Sequence, residues 1–202
     1  GVTAISAGWS FTCAVVNGAA KCWGVNFHSQ LGNPVYQRSF VPVDVSGLGS
    51  GVVAIAAGGQ HACALTSGGA ALCWGNGPML GDGLGILSAV PVAVSGLSAG
   101  VTQLSAGYSH TCAATAQGVM CWGLNNQGQL GIGADPGYQT LPRDVLGLTS
   151  GALAVSTGAD HTCALTAAGG VKCWGGNAEG QLGDGSTTGR SIPVDVSGLS
   201  SG

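Results

Sequence analysis

Apolar and small residues alternate over short stretches along the whole chain, and no stretch has the spacing of a ten-residue amphipathic helix. Short alternating stretches bounded by Gly, Pro and Asp predict β-strands. The clearest example is His161–Gly175, HTCALTAAGGVKCWG, which predicts a strand, a tight turn and a second strand. Related segments recur at Phe11–Gly24, His61–Gly75 and His110–Gly123. The pattern therefore predicts an all-β chain built from a repeated hairpin.

The repeat unit is about fifty residues long, and we divide the chain into one repeat array, 1–202, with units 1–50, 51–99, 100–150 and 151–202. Each unit offers an opening apolar segment, the hairpin, a Gly-rich piece, a variable loop and a Pro-led closing strand. Four strands per repeat of this length are typical of a β-propeller blade, whereas a β-solenoid has shorter rungs. Small residues in the opening strand, such as Ala54, Ala56 and Ala57, suit a crowded position near a propeller axis.

The closing strand of each unit is expected to start at a proline, because the missing N–H group then falls outside the hydrogen-bonded ladder. The four segments are Val41–Leu48, Val90–Leu97, Leu141–Leu148 and Ile192–Leu199.

The eight cysteines fall two per unit, at the two strands of each hairpin: Cys13/Cys22, Cys63/Cys73, Cys112/Cys121 and Cys163/Cys173. Pairing Cys112 with Cys121 sets Ala113 opposite Met120 and Ala114 opposite Val119. Facing Cβ atoms in a hairpin approach to about 4.5–5.5 Å, within a small adjustment of disulfide geometry. The cysteines of a zinc site are usually spaced more closely than these pairs, which disfavours a metal site. The remaining alternative is eight buried free thiols. We predict four intra-hairpin disulfides, and hence an oxidising compartment.

Charge is scarce, at 6% of residues, and the net charge is −3. The basic residues form no run or patch, so nucleic acid is not an expected partner. They are Lys21, Arg38, Arg143, Lys172 and Arg190. No apolar run reaches the ~18 residues of a membrane helix, so membrane insertion is not expected.

No catalytic motif, cofactor motif or metal-ligand motif is recognisable, and we expect no enzyme, no cofactor and no metal. His61, His110 and His161 share one repeat phase with Phe11, which favours packing over a metal ring or an acid–base set. The tryptophans that follow a cysteine favour packing between blades over carbohydrate stacking; they are Trp23, Trp74, Trp122 and Trp174. The pairs Asp82-Gly83 and Asp184-Gly185 favour turns over a calcium loop.

The fourth unit resembles the regulator-of-chromosome-condensation repeat family. The resemblance rests on Gly158, His161–Leu165, Cys173–Gly175, Asn177, Gly180–Gly183 and Pro193–Val196. The other units match the pattern less completely. For example, Phe11 stands where the pattern has His, and Pro78-Met79 stands where it has Gly-Gln. The resemblance implies a β-propeller, usually seven-bladed, and the paired cysteines point to a secreted, bacterial-like branch. Family members include a chromatin-bound nucleotide exchange factor, secreted β-lactamase inhibitors and many surface proteins.

Seven blades need about 350 residues, whereas this chain has four repeats, and SGLSSG at Ser197–Gly202 matches SGLGSG at Ser46–Gly51. Three arrangements stay open at this point. The chain is part of a longer array, an open array completed by other chains, or a compact four-bladed ring. We expect a larger propeller or assembly, with head-to-tail copies as one type of partner.

Positions where the repeats differ are the candidate binding residues, because aromatic and Arg side chains at loop-like positions suit protein binding. They are Trp9, Tyr36, Arg38, Phe40, Tyr108 and Tyr138. The leading hypothesis is a non-enzymatic, extracellular or cell-surface repeat protein with a structural, adhesive or protein-binding role, the periplasm being the other candidate compartment. The alternatives are a secreted enzyme inhibitor, a small-GTPase exchange factor with chromatin binding, and a propeller enzyme.

Overall fold

The computed structural model describes residues 1–35, 37–150 and 152–200. Over these ranges the chain forms four antiparallel sheets of four strands, one per repeat, with the strands of each sheet in chain order. The predicted all-β fold with four four-stranded blades is confirmed. One 3₁₀ turn, Gly77–Met79, lies between the third and fourth strands of the second blade. The strands are β1 (Val2–Ala7), β2 (Phe11–Val16), β3 (Ala19–Val25), β4 (Arg38–Asp44), β5 (Val52–Ala57), β6 (His61–Thr66), β7 (Ala71–Gly75), β8 (Ser88–Ala93), β9 (Val101–Ala106), β10 (His110–Thr115), β11 (Gly118–Leu124), β12 (Tyr138–Asp144), β13 (Ala152–Thr157), β14 (His161–Thr166), β15 (Val171–Gly175) and β16 (Arg190–Asp195).

The central hairpin of each blade has the register that the cysteine spacing predicts. In the third blade Cys112 pairs with Cys121 and Ala113 with Met120. The four expected disulfides, Cys13–Cys22, Cys63–Cys73, Cys112–Cys121 and Cys163–Cys173, are present with Cα atoms 4.0–4.1 Å apart. Every cysteine of the chain is therefore paired inside its own hairpin.

The tryptophan that follows the second cysteine lies at a β-bulge, where the pairing to the fourth strand shifts between Cys73 and Gly75. Gly75 has φ +106°, and a Cβ there would lie 2.6 Å from the carbonyl oxygen of Gln60, so the position requires glycine. The bulge directs Trp74 towards the preceding blade, where its Nε1–H donates to the carbonyl of Gln30 at 2.9 Å. Trp74, Trp122 and Trp174 are fully buried, which confirms their packing role.

The prediction that each fourth strand starts at its proline is wrong. The fourth strands begin before the proline, at Arg38, Ser88, Tyr138 and Arg190, and Pro42 and Pro91 lie inside them. The fourth strand is the outer edge of its sheet, and an edge strand tolerates a residue without an N–H group on its solvent side. In the first blade a turn at Ser46-Gly47 follows, and Val45 and Leu48 on either side of it reach back into the core.

The opening strands lie innermost and bind one another across blades, in keeping with their small residues. The Ala57 N–H donates to Ser6 Oγ at 3.0 Å, and the Thr157 N–H donates to Ser105 Oγ at 3.0 Å. Gln103 Oε1 accepts from the Val155 N–H at 2.8 Å. Short side chains at this inner position let successive blades approach closely.

His61 and His110 are fully buried between blades, which confirms that they pack. The Nε2 of His61 lies 2.7 Å from Thr111 Oγ1, and that of His110 lies 2.8 Å from Thr162 Oγ1. Burial lowers the pKa of His61 to about 4. Burial, with the nearby His61 and His161, lowers the pKa of His110 to about 3. Both rings are therefore neutral at physiological pH.

The first blade leaves its leading face open, so the compact four-bladed ring is excluded. Val2 and Ile5 on β1 are 64% and 68% exposed, whereas the matching Val52 and Leu104 of later blades are 3% and 9% exposed. If the first and fourth blades packed against each other, both β1 side chains would be covered. The four blades instead form an open arc.

A buried asparagine fastens the variable loop in three of the blades. Oδ1 of Asn125 accepts from the N–H of the buried Leu130 at 3.0 Å, and its Nδ2 donates to the carbonyl of Asp135 at 2.8 Å. Asn26 and Asn177 make the same kind of contacts, each to a leucine N–H and to carbonyls further along the loop. We call this arrangement the asparagine clamp. It holds the base of each loop to the blade.

Candidate binding surface

The variable loops and the short turns after the opening strands lie at the same end of the blades. In the first blade, Ala7 pairs with Thr12, Phe11 with Gly24, and Val25 with Arg38. The end of strand one, the start of strand two, the end of strand three and the start of strand four therefore lie side by side. We call this end, with loops 26–35, 76–87, 125–137 and 176–189, the loop face.

Two of the predicted binding residues meet at the centre of the loop face. The rings of Trp9 and Tyr108 contact edge to face, with centroids 5.1 Å apart and planes at 65°. Trp9 is 67% exposed and Tyr108 is 39% exposed. The two residues come from the first and third blades, so the contact reaches over the second blade. An aromatic pair this exposed gives the surface a large apolar contact area.

Gly59 of the second blade makes this contact geometrically allowed. It lies at the repeat phase of Trp9 and Tyr108, and its N–H donates to the carbonyls of Gly107 and Tyr108 at 3.1 and 3.2 Å. A Cβ at Gly59 would lie 2.4 Å from the Tyr108 carbonyl oxygen and 3.0 Å from its ring. Any side chain there would displace Tyr108 from its present position.

The aromatic pair borders an open depression of about 230 Å³ at the axis. Besides the two rings, its walls are glycine, alanine and threonine from all four blades, among them Gly8, Gly58, Gly107 and Gly158. Within the described part of the chain, no acidic or basic side chain lines it. The depression offers aromatic surface and backbone groups, which suit binding to an apolar or cationic side chain.

A second aromatic contact lies further out on the first blade. The guanidinium carbon of Arg38 is 5.5 Å from the ring centroid of Phe27, within cation–π range. Arg38 was predicted as a binding residue, but Phe27, which is 60% exposed, was missed. Its signal was available, because the same phase carries Asn126 and Ala178 in other repeats.

The remaining predicted binding residues are separate from the central pair. Phe40 on β4 is 87% exposed, and Tyr138 at the start of β12 is 52% exposed. Both lie on outer edge strands, Tyr138 opposite Leu124 at the loop end of its blade. Tyr36 lies outside the described residues.

The acidic side chains concentrate on the loop face. It carries Asp82, Asp135, Asp160, Glu179 and Asp184 against Arg38 and Arg190, which accounts for the formal net charge of −3. Towards the hairpin end, Lys21 pairs with Asp44 and Lys172 with Asp195. The charge that the whole chain presents to a partner is therefore on the face with the aromatic pair.

The two Asp-Gly pairs form turns, as predicted. Asp82 Oδ1 accepts from the Leu84 N–H at 2.9 Å. In the fourth blade the Asp184 carboxylate accepts from the N–H and hydroxyl of Ser186 and from Arg190. The bonds to Ser186, supported by Arg190, lower the pKa of Asp184 to about 2. The Asp184 carboxylate is therefore engaged in holding the conformation of its own loop.

Two models of the regulator of chromosome condensation (RCC1) repeat match the sequence. One matches residues 52–78, 101–129 and 153–181, and the other matches 118–165 and 168–202. Together they cover most of the last three blades. The chain belongs to the RCC1 repeat family.

Relatives of this RCC1-repeat chain include the ultraviolet-B receptor UVR8 of Arabidopsis thaliana, 32% identical over 96% of this chain and 46% of the receptor. The probable human E3 ubiquitin-protein ligase HERC6 is 33% identical over 85% of this chain and 17% of the ligase. The chain thus spans less than half of the length of either relative. Among solved structures, Prp20p from Saccharomyces cerevisiae aligns with a TM-score of 0.84 at 22% identity, covering 96% of this chain and 50% of that one. Human WBSCR16 aligns with a TM-score of 0.80 at 23% identity over 96% and 54%.

Because the sequence identities are low, the structural similarities establish only the fold, an RCC1-type propeller. The solved complex of yeast RCC1 (Prp20) with Kap60 concerns that protein, which is 21% identical. Over the described part of this chain, no helix has the length and apolar character needed to cross a membrane.

Proposed function

We propose that the chain is a non-enzymatic blade array that binds another protein through its loop face. The exposed Trp9–Tyr108 pair at the centre of that face carries the proposal. Tryptophan, tyrosine and arginine dominate the binding energy of protein interfaces, and here all three side chains are exposed at one end of the blades. The family relationship supports a binding role, since the solved RCC1 structure includes a bound partner protein.

The charge of the loop face favours a basic partner surface. The loop face carries five acidic groups against two arginines, and its central depression is lined by aromatic rings and small residues. A lysine or arginine of the partner can stack on the exposed rings while neighbouring basic groups face the acidic loops. The four disulfides support an extracellular or cell-surface location for this encounter.

The test is capture of proteins from cell-surface extracts by the immobilised chain and by the variant Trp9→Ser/Tyr108→Ser. We expect the wild-type chain to capture a protein that the double variant does not capture. High salt should release that protein, because salt screens contacts between exposed charges. The matched control is Leu153→Ser, which removes an exposed leucine near the start of β13, at the end of the blade opposite the loop face. Hydrogen exchange of the complex should protect residues 7–11 and 106–110. Equal capture by wild type and the double variant would refute the proposal.

Gly59→Ala tests the geometry while keeping both rings. The new Cβ has to displace Tyr108, so capture should weaken although no aromatic group is lost. Gly49→Ala is the control, because a Cβ at Gly49 meets no atom within 4 Å.

A further inference from the structure

The third blade departs from a pattern of paired side chains at the hairpin end. In every blade, strands three and four set two residues directly opposite each other at the same repeat phase. The pairs are Lys21–Asp44, Leu72–Ala93, Met120–Asp144 and Lys172–Asp195. Two blades thus have a lysine opposite an aspartate, and the second blade has two apolar residues. In the third blade an aspartate lies opposite an apolar side chain.

The carboxylate of Asp144 lacks the partner that its counterparts have. In the fourth blade the lysine Nζ lies 2.7 Å from the aspartate Oδ1, and the first blade has the same salt bridge. Among the described residues, none bonds the carboxylate of Asp144. Arg143, its neighbour in sequence, donates to Gln139 Oε1 at 3.0 Å instead. The third blade therefore keeps the acidic half of a salt bridge without the ammonium group.

Asp144 borders a cavity of about 270 Å³ between the second and third blades. Leu97 and Met120 form apolar parts of its wall, and both pack in the same core cluster. Thr115 and Gln117 of the hairpin turn contribute polar groups. Pockets for small molecules usually measure about 300–1,000 Å³, so this smaller cavity suits a single long side chain.

A lysine side chain matches both the apolar and the charged part of this cavity. Lysine buries its four-carbon stem along apolar surface and keeps its ammonium group in water. Here the stem can lie on Leu97 and Met120 while the ammonium group meets the exposed Asp144. The first and fourth blades already join the same two groups at this repeat phase.

A second copy of this chain is a poor source of that lysine. The sequence contains two lysines, Lys21 and Lys172. Each is already bound to the aspartate of its own blade, so neither ammonium group is available without breaking a salt bridge. A partner of different sequence fits the cavity better.

We propose that the cavity between the second and third blades binds a lysine side chain of a partner protein, with the ammonium group on Asp144 and the stem on Leu97 and Met120. The hairpin turns and the loop face lie at opposite ends of the blades. This site is therefore separate from the Trp9–Tyr108 pair and does not depend on the function proposed above.

The test is titration of the chain with Nα-acetyl-lysine methylamide, followed by nuclear magnetic resonance of ¹³C-labelled methionine methyl groups. The chain has two methionines, and the buried Met79 on the loop side is the internal reference. We expect a saturable shift of the Met120 signal and an unmoved Met79 signal. The norleucine analogue, which has the stem without the ammonium group, should bind about threefold more weakly or less. An unmoved Met120 signal, or equal binding of both probes, would overturn the proposal.

Variants decide whether the probe uses the Asp144 carboxylate. Asp144→Asn keeps the shape of an exposed side chain and should weaken binding of the lysine probe about threefold or more. The matched control Asp195→Asn makes the same change at the same phase of the fourth blade and should leave the Met120 response unchanged.

Met120→Lys supplies the lysine that the first and fourth blades have. Its ammonium group should occupy Asp144 from within the chain, so the carboxyl-carbon signal of Asp144 should no longer respond to the probe. Undiminished binding by Asp144→Asn, or a persisting response of Asp144 in Met120→Lys, would refute the site.

Discussion

His61 and His110 show how a single side chain links blade packing to pH. Each is buried, neutral and bonded through Nε2 to a threonine of the next blade. Their Nδ1 atoms have no hydrogen-bond partner within the described structure. Each threonine hydroxyl donates to a carbonyl, so its oxygen accepts from the histidine Nε2–H. In that tautomer Nδ1 carries only a lone pair, whereas a protonated ring would place an N–H group without a partner at Nδ1. Protonation is therefore incompatible with the packed interface.

The free energy of unfolding should fall as the pH is lowered from about 6.5 to about 4. The folded-state pKa values of about 4 and about 3 lie below the ordinary 6.5, so the unfolded chain binds these protons first. Each unit of pKa difference corresponds to ~1.4 kcal/mol, so the loss should reach several kcal/mol. Denaturant titrations at a series of pH values measure it.

A matched control for the pH effect replaces both histidine–threonine pairs by phenylalanine and alanine, the residues that Phe11 and Ala62 place at the same phases. The control is His61→Phe/Thr111→Ala combined with His110→Phe/Thr162→Ala. Its stability should vary less over the same range. Asp184, with a pKa lowered to about 2, loses its contribution only below about 4, so it does not obscure this window. Parallel profiles for wild type and control would contradict the assignment to the histidines.

At the scale of elements, the disulfide-bridged hairpin is the unit of stability. Removing the bridge of the third blade with Cys112→Ala/Cys121→Ala should lower the free energy of unfolding by about 2–3 kcal/mol, since the bridge closes a loop of nine residues' separation. The fold should survive, because Val119, Trp122 and Leu130 still pack in the core. Circular dichroism and denaturant titration give both quantities. The Cys13–Cys22 bridge of the first blade closes a loop of the same separation, so the variant Cys13→Ala/Cys22→Ala should lose a similar free energy. Loss of the β-sheet signal at room temperature would be the contrary result.

The elements that sequence predicted well are those with local signals. The cysteine spacing determined the hairpin register, and the repeat phase determined which strands share a blade. The start of the fourth strand was misplaced because a proline is excluded only from paired positions, and Pro42 lies in the bulge between the pairs Cys22–Val43 and Gly24–Ser39. The contact of Trp9 with Tyr108 was beyond sequence reasoning, since it depends on the rotation between three successive blades. The Arg38–Phe27 contact was missed because it forms across a loop of variable sequence.

At the scale of the whole molecule, the blades differ in how well their neighbours protect them. β1 has its leading face open, whereas β9 lies between β5 and β13. In dilute solution the amide hydrogens of Val2–Ala7 should exchange faster than those of Val101–Ala106, because an array opens first where a blade lacks a neighbour. Hydrogen exchange with mass spectrometry measures both segments in one sample. Equal protection in a dilute sample would argue against an open arc.

The asparagine clamp separates the conformation of a loop's base from the sequence of its tip. Oδ1 and Nδ2 of Asn125 bind main-chain groups, which every residue possesses, so substitutions in loop 125–137 leave those contacts available. Loops at the open end of a rigid blade can then diverge in length and chemistry without a penalty to the sheet below. Three blades share the clamp but carry loops of different sequence. A loop from another of these blades, placed between Asn125 and Tyr138, should therefore keep its own recognition properties.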